Sequence, residues 1–277
     1  MHTITITGCS TGFGRVTTRR FLREGWRVIA TVRQDADGLS LKDEARGLGA
    51  ADRLTVVRAD ITDPAGVAAL GEAVRRDAPA LNALVNNAGT AFPSVVELLP
   101  IADLRAQLEV NVVAHVAVTQ ALLPFLKTAR GTLINVSSVS GRIAVPGVGA
   151  YCASKFALEA ISDSLRVEVA PFGVRVVIVE PASSPTAIWK TSRDRLERGG
   201  DAGEYGPLLE RLRRYIQNQE GQGFPPELFA ETIWRIAGAA SPSTRYAIPA
   251  GMGRMMWLRR LLPDAIFDRQ VRRALNW

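Results

Sequence analysis

The 277-residue sequence predicts an α/β fold: a doubly wound parallel sheet of seven strands with helices on both faces. Three observations predict it. Strand-like runs at 3–7, 27–32, 53–58, 82–86, 131–137, 174–180 and 244–249 alternate with helical stretches, the rhythm of right-handed βαβ crossovers. Several runs are nearly continuously apolar, as in Val174-Arg175-Val176-Val177-Ile178-Val179, which suits strands buried on both sides. The first run passes straight into a glycine-rich turn and then a helical stretch.

That first run, Thr3-Ile4-Thr5-Ile6-Thr7, is β-branched throughout its alternation, and Gly8-Cys9-Ser10-Thr11-Gly12-Phe13-Gly14 follows it. Glycines let the main chain approach a ligand closely. The unpaired N–H groups at a helix start, with the positive end of its dipole, attract an anion such as a pyrophosphate. The spacing is G-x-x-x-G-x-G, and taken alone it is equally the mark of a tight turn. The second run ends in Val32-Arg33. A carboxylate there would bond a ribose 2′-OH, whereas an arginine pairs with a 2′-phosphate. Asp35 and Asp37 would oppose that phosphate if they turned inward, and Arg33 as a solvated loop residue is the alternative. Asp60-Ile61 closes the third run, where Asp60 also reads as a turn carboxylate, and Asn86-Asn87-Ala88-Gly89 closes the fourth. Residues 101–127 are predicted as one long helix with Pro124 near its end. It carries Asn111 and His115, the latter read as a packed or interface histidine.

Ser138 ends the fifth run, and Tyr151 and Lys155 follow in Tyr-Cys-Ala-Ser-Lys. Positions four apart on a helix share a face, so the Lys155 ammonium is expected beside the Tyr151 phenol. A free phenol titrates near about 10, and a neighbouring cation favours the phenolate. A serine hydroxyl opposite can hold a substrate oxygen while the proton moves. The trio therefore suits acid–base chemistry on an alcohol or ketone.

The ordered set of Thr7-Gly8-x-x-x-Gly12-x-Gly14, Asn86-Asn87-Ala88-Gly89, Asn111, Ser138 and Tyr151-x-x-x-Lys155 resembles the short-chain dehydrogenase/reductase family over roughly residues 3–187. The resemblance implies a single Rossmann-type domain over 1–277 that binds a nicotinamide cofactor, with Asn111, Ser138, Tyr151 and Lys155 as catalytic tetrad. It also implies a helical kink near Asn111 that lets this residue hold a relay water. The cofactor set it implies is Gly8, Ser10, Thr11, Gly12, Phe13, Gly14, Arg33, Asp60, Ile61, Asn87, Ala88, Gly89, Tyr151, Lys155, Pro181 and Thr186. Arg33 favours NADP(H) over NAD(H). Pro181 and Thr186 match the loop that holds the nicotinamide carboxamide, but Ala182 stands where the family usually has glycine. Homodimers or homotetramers paired through about 101–127 and 150–171 are also implied.

Composition narrows the field. Apolar content of 47% indicates a globular protein, and no stretch reads as long and apolar enough to span a membrane. The first strand begins at once, leaving no room for a secretory signal. Cys9 and Cys152 fall inside the motifs above, as expected of a reduced, cytoplasmic protein. The net charge of +7 invites a nucleic-acid reading. The basic residues are scattered, however, and all but four of the 34 are arginine, which is a compositional bias rather than a binding stripe. No metal site is predicted.

Residues 187–226 match no motif and carry Trp189, Tyr205, Tyr215, Phe224 and a charged run from Lys190 to Arg198. By resemblance they form a variable lid over the substrate, suited to an apolar or aromatic alcohol or ketone. The tail 251–277 interleaves six arginines with Met255, Met256, Trp257, Leu258, Leu261, Leu262, Ile266, Phe267 and Trp277. Such a segment can lie on an anionic membrane surface, but docking on the protein's own body or a partner subunit is favoured. Similar tails occur in the branch with 17β-hydroxysteroid and retinol-type dehydrogenases. The expectation is an NADP(H)-dependent oxidoreductase acting on a secondary alcohol or ketone. Two rivals are a non-catalytic NADP-binding sensor or scaffold and a sugar-nucleotide epimerase or dehydratase, the latter disfavoured by the glycine spacing.

Overall fold

All seven apolar runs form strands in the computed structural model, which describes residues 1–197 and 202–277. They are β1 (Thr3–Ile6), β2 (Arg27–Val32), β3 (Leu54–Arg58), β4 (Ala83–Asn86), β5 (Thr132–Val136), β6 (Arg175–Pro181) and β7 (Arg245–Ile248). They pair in parallel in the order β3-β2-β1-β4-β5-β6-β7. The order reverses between β1 and β4, so the loops leaving these strands diverge and open a crevice at their carboxyl ends. Thr5 sits opposite Ile29 on one side and Leu84 on the other, a register that brings the Gly8 turn beside the Asn86–Gly89 loop.

The helices are α1 (Gly12–Arg23), α2 (Asp35–Gly47), α3 (Pro64–Asp77), α4 (Ile101–Leu108), α5 (Ala114–Ala129), α6 (Gly149–Val169), α7 (Ala187–Glu197), α8 (Gly206–Gln219), α9 (Pro226–Gly238), α10 (Met252–Leu261) and α11 (Asp264–Leu275). Strand side chains alternate between two helix layers, as the period of two requires. Ile4, Ile6, Val28, Ala30, Val177 and Val179 meet Phe21, Leu41, Phe229 and Ile233 of α1, α2 and α9. Ile29, Leu84, Leu133 and Val176 meet Leu70, Val74, Leu122 and Leu126 of α3 and α5. Each such aliphatic side chain contributes about 1.5–3 kcal/mol by leaving water. Burial on two faces therefore holds even the four-residue β1 in place.

The segment expected to be one helix over 101–127 is helical from Ile101 to Ala129, but Glu109–Val113 winds as a π-helix. The wider turn lies where the resemblance implied a kink, and it carries the fully buried Asn111. At 29 residues and mean hydropathy 1.4, this run does have the length and composition of a membrane span, contrary to the sequence reading. It buries Gln107, Asn111, His115 and Thr119 at four-residue spacing, and its α5 part packs Val118, Leu122 and Leu126 against the sheet. It is a core helix.

Residues 187–226 form α7 and α8, whose Leu196, Leu208, Leu209, Leu212 and Ile216 close on Val95 of the β4–α4 loop. Residues 198–201, with Arg198 of the predicted charged run, lie outside the described residues. Phe224 turns away from this cluster and stacks on Phe13 in the core at 5.7 Å between ring centroids. The tail splits at Pro263 into α10 and α11. Its end docks on α7 and α8, with Leu275 packed on their cluster and Trp277 stacked on Tyr205. Trp257, Leu258 and Leu261 remain exposed.

Phe229 of α9 is fully buried and stacks on Phe13 at 4.1 Å, pinning the start of α1 from behind. Replacing it with alanine is expected to cost about 3–5 kcal/mol in urea unfolding. A loss below about 1 kcal/mol would mean that the site collapses around the cavity and that this stack does not anchor the turn.

Candidate active site

The crevice between β1 and β4 is walled by two loops that hydrogen-bond to each other. Thr7 Oγ1 accepts the main-chain N–H groups of Asn87 and Ala88 at 2.9 and 3.0 Å. Asn87 Nδ2 donates back to the Thr7 and Gly8 carbonyls at 2.8 and 3.1 Å. Gly8 has φ 70°, and a Cβ there would lie 2.8 Å from Ala88 Cα. A Cβ on Gly14 would lie 2.2 Å from the Gly8 carbonyl oxygen. No side chain fits at either position. Thr11 forms no side-chain cap, so it does not compete for the first-turn N–H groups of α1. Ser10 lends its carbonyl to Arg15 Nη1 at 3.0 Å, and the same guanidinium bonds Ser40 and Glu44 of α2 at 2.6 Å each. A glycine cradle at a helix N-terminus fits a pyrophosphate.

Two of the expected cofactor residues turn their side chains into the core. The Phe13 ring packs inward on Phe224 and Phe229, and Ile61 is buried with Leu70 and Val74 on α3. At the end of β2, Arg33 is exposed. Asp35 pairs with Arg58 at 3.1 Å, and Asp37 lies in the first turn of α2. Asp60 accepts the Thr62 N–H and hydroxyl at 3.0 and 2.7 Å. The main-chain bond chiefly holds its carboxyl below the usual range, with the Arg33 charge adding to the effect. Across the crevice, a Cβ on Gly12 would lie 3.2 Å from Thr186 Cβ, so the β6–α7 loop lies against the glycine turn. The described non-glycine residues with positive φ are Arg130 and Asn276, so Ala182 in place of the expected glycine carries no left-handed strain.

Ser138, Tyr151 and Lys155 meet at the carboxyl end of β5. The Ser138 hydroxyl accepts the Ser140 N–H at 3.1 Å and donates to the Pro181 carbonyl at 3.4 Å, and it lies near enough to the Tyr151 phenol to oppose the rise of its pKa. Lys155 donates to the Val136 carbonyl at 2.8 Å. The ammonium was expected to lower the phenol's pKa, and here the structure differs. Burial pushes Tyr151 up to about 12, with Ser138 opposing. The Lys155 ammonium is aimed at Val136, 5.7 Å from the tyrosine ring centroid, and burial pushes it down to about 8. Both groups respond to the same desolvation, which disfavours whichever form is charged.

Asn111 bonds protein groups on both sides of the crevice wall. Its Nδ2 donates to the Thr90 carbonyl and to Ser154 Oγ at 3.0 Å each, and its Oδ1 accepts the Thr90 N–H at 2.9 Å. Both amide protons are used on protein atoms, so this side chain ties the loop after Gly89 to α6. One turn before it, Gln107 bonds the Thr90 carbonyl and the Phe92 N–H at 2.8 and 2.9 Å. One turn after it, His115 Nε2 meets the Ala88 carbonyl at 2.7 Å, and burial pushes this imidazole down to about 3, keeping it neutral. From the lid, Arg195 donates to the Ala91 carbonyl at 2.7 Å and to the Thr90 hydroxyl, and lies over the Phe92 ring. The sequence reading gave no role to Thr7, Gln107, Ser154 or Arg195. The four-residue spacing from Asn111 could have found Gln107, and adjacency to Lys155 could have found Ser154.

Comparison with known proteins agrees with this geometry. The family model for short chain dehydrogenases matches residues 2–197. The chain is 32% identical over 276 residues to the NADPH-dependent 3-dehydrocapnine reductase of Ornithobacterium rhinotracheale, covering 97% of this chain and 95% of that protein. It is 37% identical over 287 residues to retinol dehydrogenase 5 of Mus musculus, covering 96% and 86% respectively. A solved structure of a short-chain dehydrogenase from Streptomyces avermitilis superposes with a TM-score of 0.78 at 26% identity, covering 99% of this chain and 98% of that one. The chain belongs to the short-chain dehydrogenase/reductase family and is an NAD(P)-dependent oxidoreductase acting on CH–OH groups.

Proposed function

We propose that the protein is an NADP(H)-dependent oxidoreductase that interconverts a secondary alcohol and a ketone of apolar or aromatic character. The observation that carries this reading is the convergence of the Ser138 hydroxyl, the Tyr151 phenol and the Lys155 ammonium beside the β1–β4 crevice. The glycine turn from Gly8 to Gly14 would cradle the pyrophosphate, and Arg33 would pair with the 2′-phosphate. Asp60 and the main chain of Ile61 would flank the adenine, and Pro181 and Thr186 would take the carboxamide. When bound, the nicotinamide supplies the hydride chemistry, and orientation and electrostatics are left to the protein.

In the reductive direction Ser138 holds and polarises the carbonyl oxygen while Tyr151 donates its proton to it. A phenol raised to about 12 stays protonated through neutral pH and so is ready as an acid. Lys155 grips the ribose hydroxyls and stabilises the phenolate that the proton leaves behind. Asn111 and Gln107 keep the 88–92 loop in register beside them. Trp189 and Tyr215, in edge contact in the lid, support an apolar substrate, as does the alcohol named in retinol dehydrogenase 5. NADP(H) is supported by Arg33, by the pairing of Asp35 with Arg58 and by the NADPH dependence named in the 3-dehydrocapnine reductase. Pairing of subunits as a homodimer or homotetramer is supported by exposed Val113, Phe156, Val167 and Phe172 on and around the long helices α5 and α6.

Tyr151→Phe is expected to abolish ketone reduction, followed by NADPH absorbance, while NADPH still quenches tryptophan fluorescence at wild-type concentration; normal turnover in this variant would refute the reading. Arg33→Ala should weaken NADPH by about tenfold or more, the strength of a charge-assisted bond, and leave NADH unchanged. Equal effects on both cofactors would remove the phosphate role. The pH dependence follows from Lys155, whose pKa is depressed to about 8. Its ammonium is present below that value and lost above it, so kcat/KM for reduction should be flat near neutrality and decline as pH rises through about 8. A rate that instead rises across this range would contradict the assignment.

A further inference from the structure

Lys155 is buried to 4% exposure, and one turn further along α6 lies Glu159, itself only 6% exposed. Side chains four apart on a helix lie about 5–6 Å apart at Cβ. Glu159 belongs to a cluster that no catalytic step above uses. Arg245, at the start of β7, donates from Nε to Glu159 Oε2 at 3.1 Å and from Nη2 to Asp163 Oδ2 at 2.7 Å. Its Nε also lies 3.6 Å from Glu180 Oε1 on β6. Arg142, just past the Ser138 turn, reaches Glu180 from the other side at 3.2 Å. Three carboxyl groups thus face two guanidiniums, and both Glu159 and Glu180 are enclosed.

Burying ionised groups is expensive unless each is compensated. Glu159 Oε2 has Arg245, but Glu159 Oε1 is buried with no hydrogen-bond donor among the described residues. Lys155, for its part, hydrogen-bonds the neutral Val136 carbonyl. An anion with a spare oxygen and a cation on a neutral acceptor thus occupy successive turns of one helix. Gly141, in the turn after Ser138, fits between them, because a Cβ there would lie 3.1 Å from Glu159 Cγ and 3.2 Å from the Lys155 carbonyl oxygen.

We propose that Glu159 is the counter-charge that keeps the Lys155 ammonium charged in its enclosed site, and that Arg245 holds Glu159 in place. Neither residue touches substrate; both are positioning residues, and the inference rests on the role given to Lys155 above. The other titratable groups facing Lys155 are Tyr151 on its own helix and His115 on α5, and His115 stays neutral at working pH. Facing Glu159 are Arg245 from β7, Glu180 from β6, Asp163 from its own helix and, through Glu180, Arg142 from the loop. Burial and the Glu159 charge push the Glu180 carboxyl upward. The Glu159 charge opposes the downward push of burial on the lysine.

Glu159→Gln keeps an oxygen for Arg245 and the shape of the site while removing the charge. Its alkaline limb in kcat/KM for ketone reduction is expected to move down by about one pH unit, which reads as roughly tenfold lower activity above the limb. Activity and NADPH affinity near pH 6.5 should match the wild-type protein, whereas NADPH affinity near pH 8.5 should fall. A folded variant whose limb does not move overturns the proposal, since a purely structural role would alter rates without shifting the profile. If Glu159→Gln does not fold, Arg245→Gln gives the same readout, because it removes the guanidinium that fixes Glu159 beside Lys155; an unmoved limb there overturns the proposal equally. Lys155→Ala separates the two levels. If it keeps normal turnover, the role of Lys155 and this inference both fall; if it is inactive while the Glu159→Gln limb is unmoved, the counter-charge alone falls.

Discussion

The hydrogen bonds between Thr7, leaving β1, and Asn87, leaving β4, hold together the crevice on which everything else depends. One hydroxyl accepts two main-chain N–H groups, and one carboxamide returns two bonds to main-chain carbonyls. Buried main-chain groups left unpaired would each cost about 1–3 kcal/mol, so the two loops hold their separation rather than relax toward each other. Gly8 and Gly14 allow that closeness because a methyl group at either would collide with main chain. The glycine turn, the start of α1 and the 88–92 loop all take their positions from this lock.

A polar stripe on the long helix then fixes the far wall. Gln107, Asn111 and His115 occupy successive turns across the π-helical segment, and each bonds a main-chain group between Ala88 and Phe92. Arg195 grips the same loop from the lid. The wall beside the catalytic residues is therefore held by side chains from below and above. A loop that would otherwise be mobile becomes part of the preorganised site, and catalysis benefits from groups already in position.

Burial sets the electrostatics of this site. The same loss of water pushes the Tyr151 phenol up and the Lys155 ammonium down, which keeps the phenol protonated near neutrality and makes the lysine a reluctant cation. Ser138 and the Val136 carbonyl offset part of this cost locally. The buried carboxylates behind α6 belong to the same balance, since a low-dielectric site strengthens every charge that remains in it.

Much of the architecture could be read from the chain itself. Each of the seven strands lies within or at the edge of its strand-like run, and in the central β4, β5 and β6 two-sided burial imposes nearly continuous apolar sequence. The glycine turn and the Tyr151–Lys155 pair were also legible, since local backbone geometry and helix periodicity are properties of neighbours in sequence. What the chain could not reveal were the partners brought from afar. Thr7 and Asn87 are 80 residues apart, Arg195 and Thr90 are 105 apart, and Arg245 and Glu159 are 86 apart. Nor could it reveal where side chains spend their hydrogen bonds: Asn111 turned to Thr90 and Ser154, Lys155 to Val136, and Phe13 into the core. The sequence alone determined the order of elements and the identity of the reactive groups, because periodicity and glycine placement act locally. The tertiary structure decided their protonation and aim, because desolvation and long-range pairing exist only once the sheet has closed its two helix layers around them.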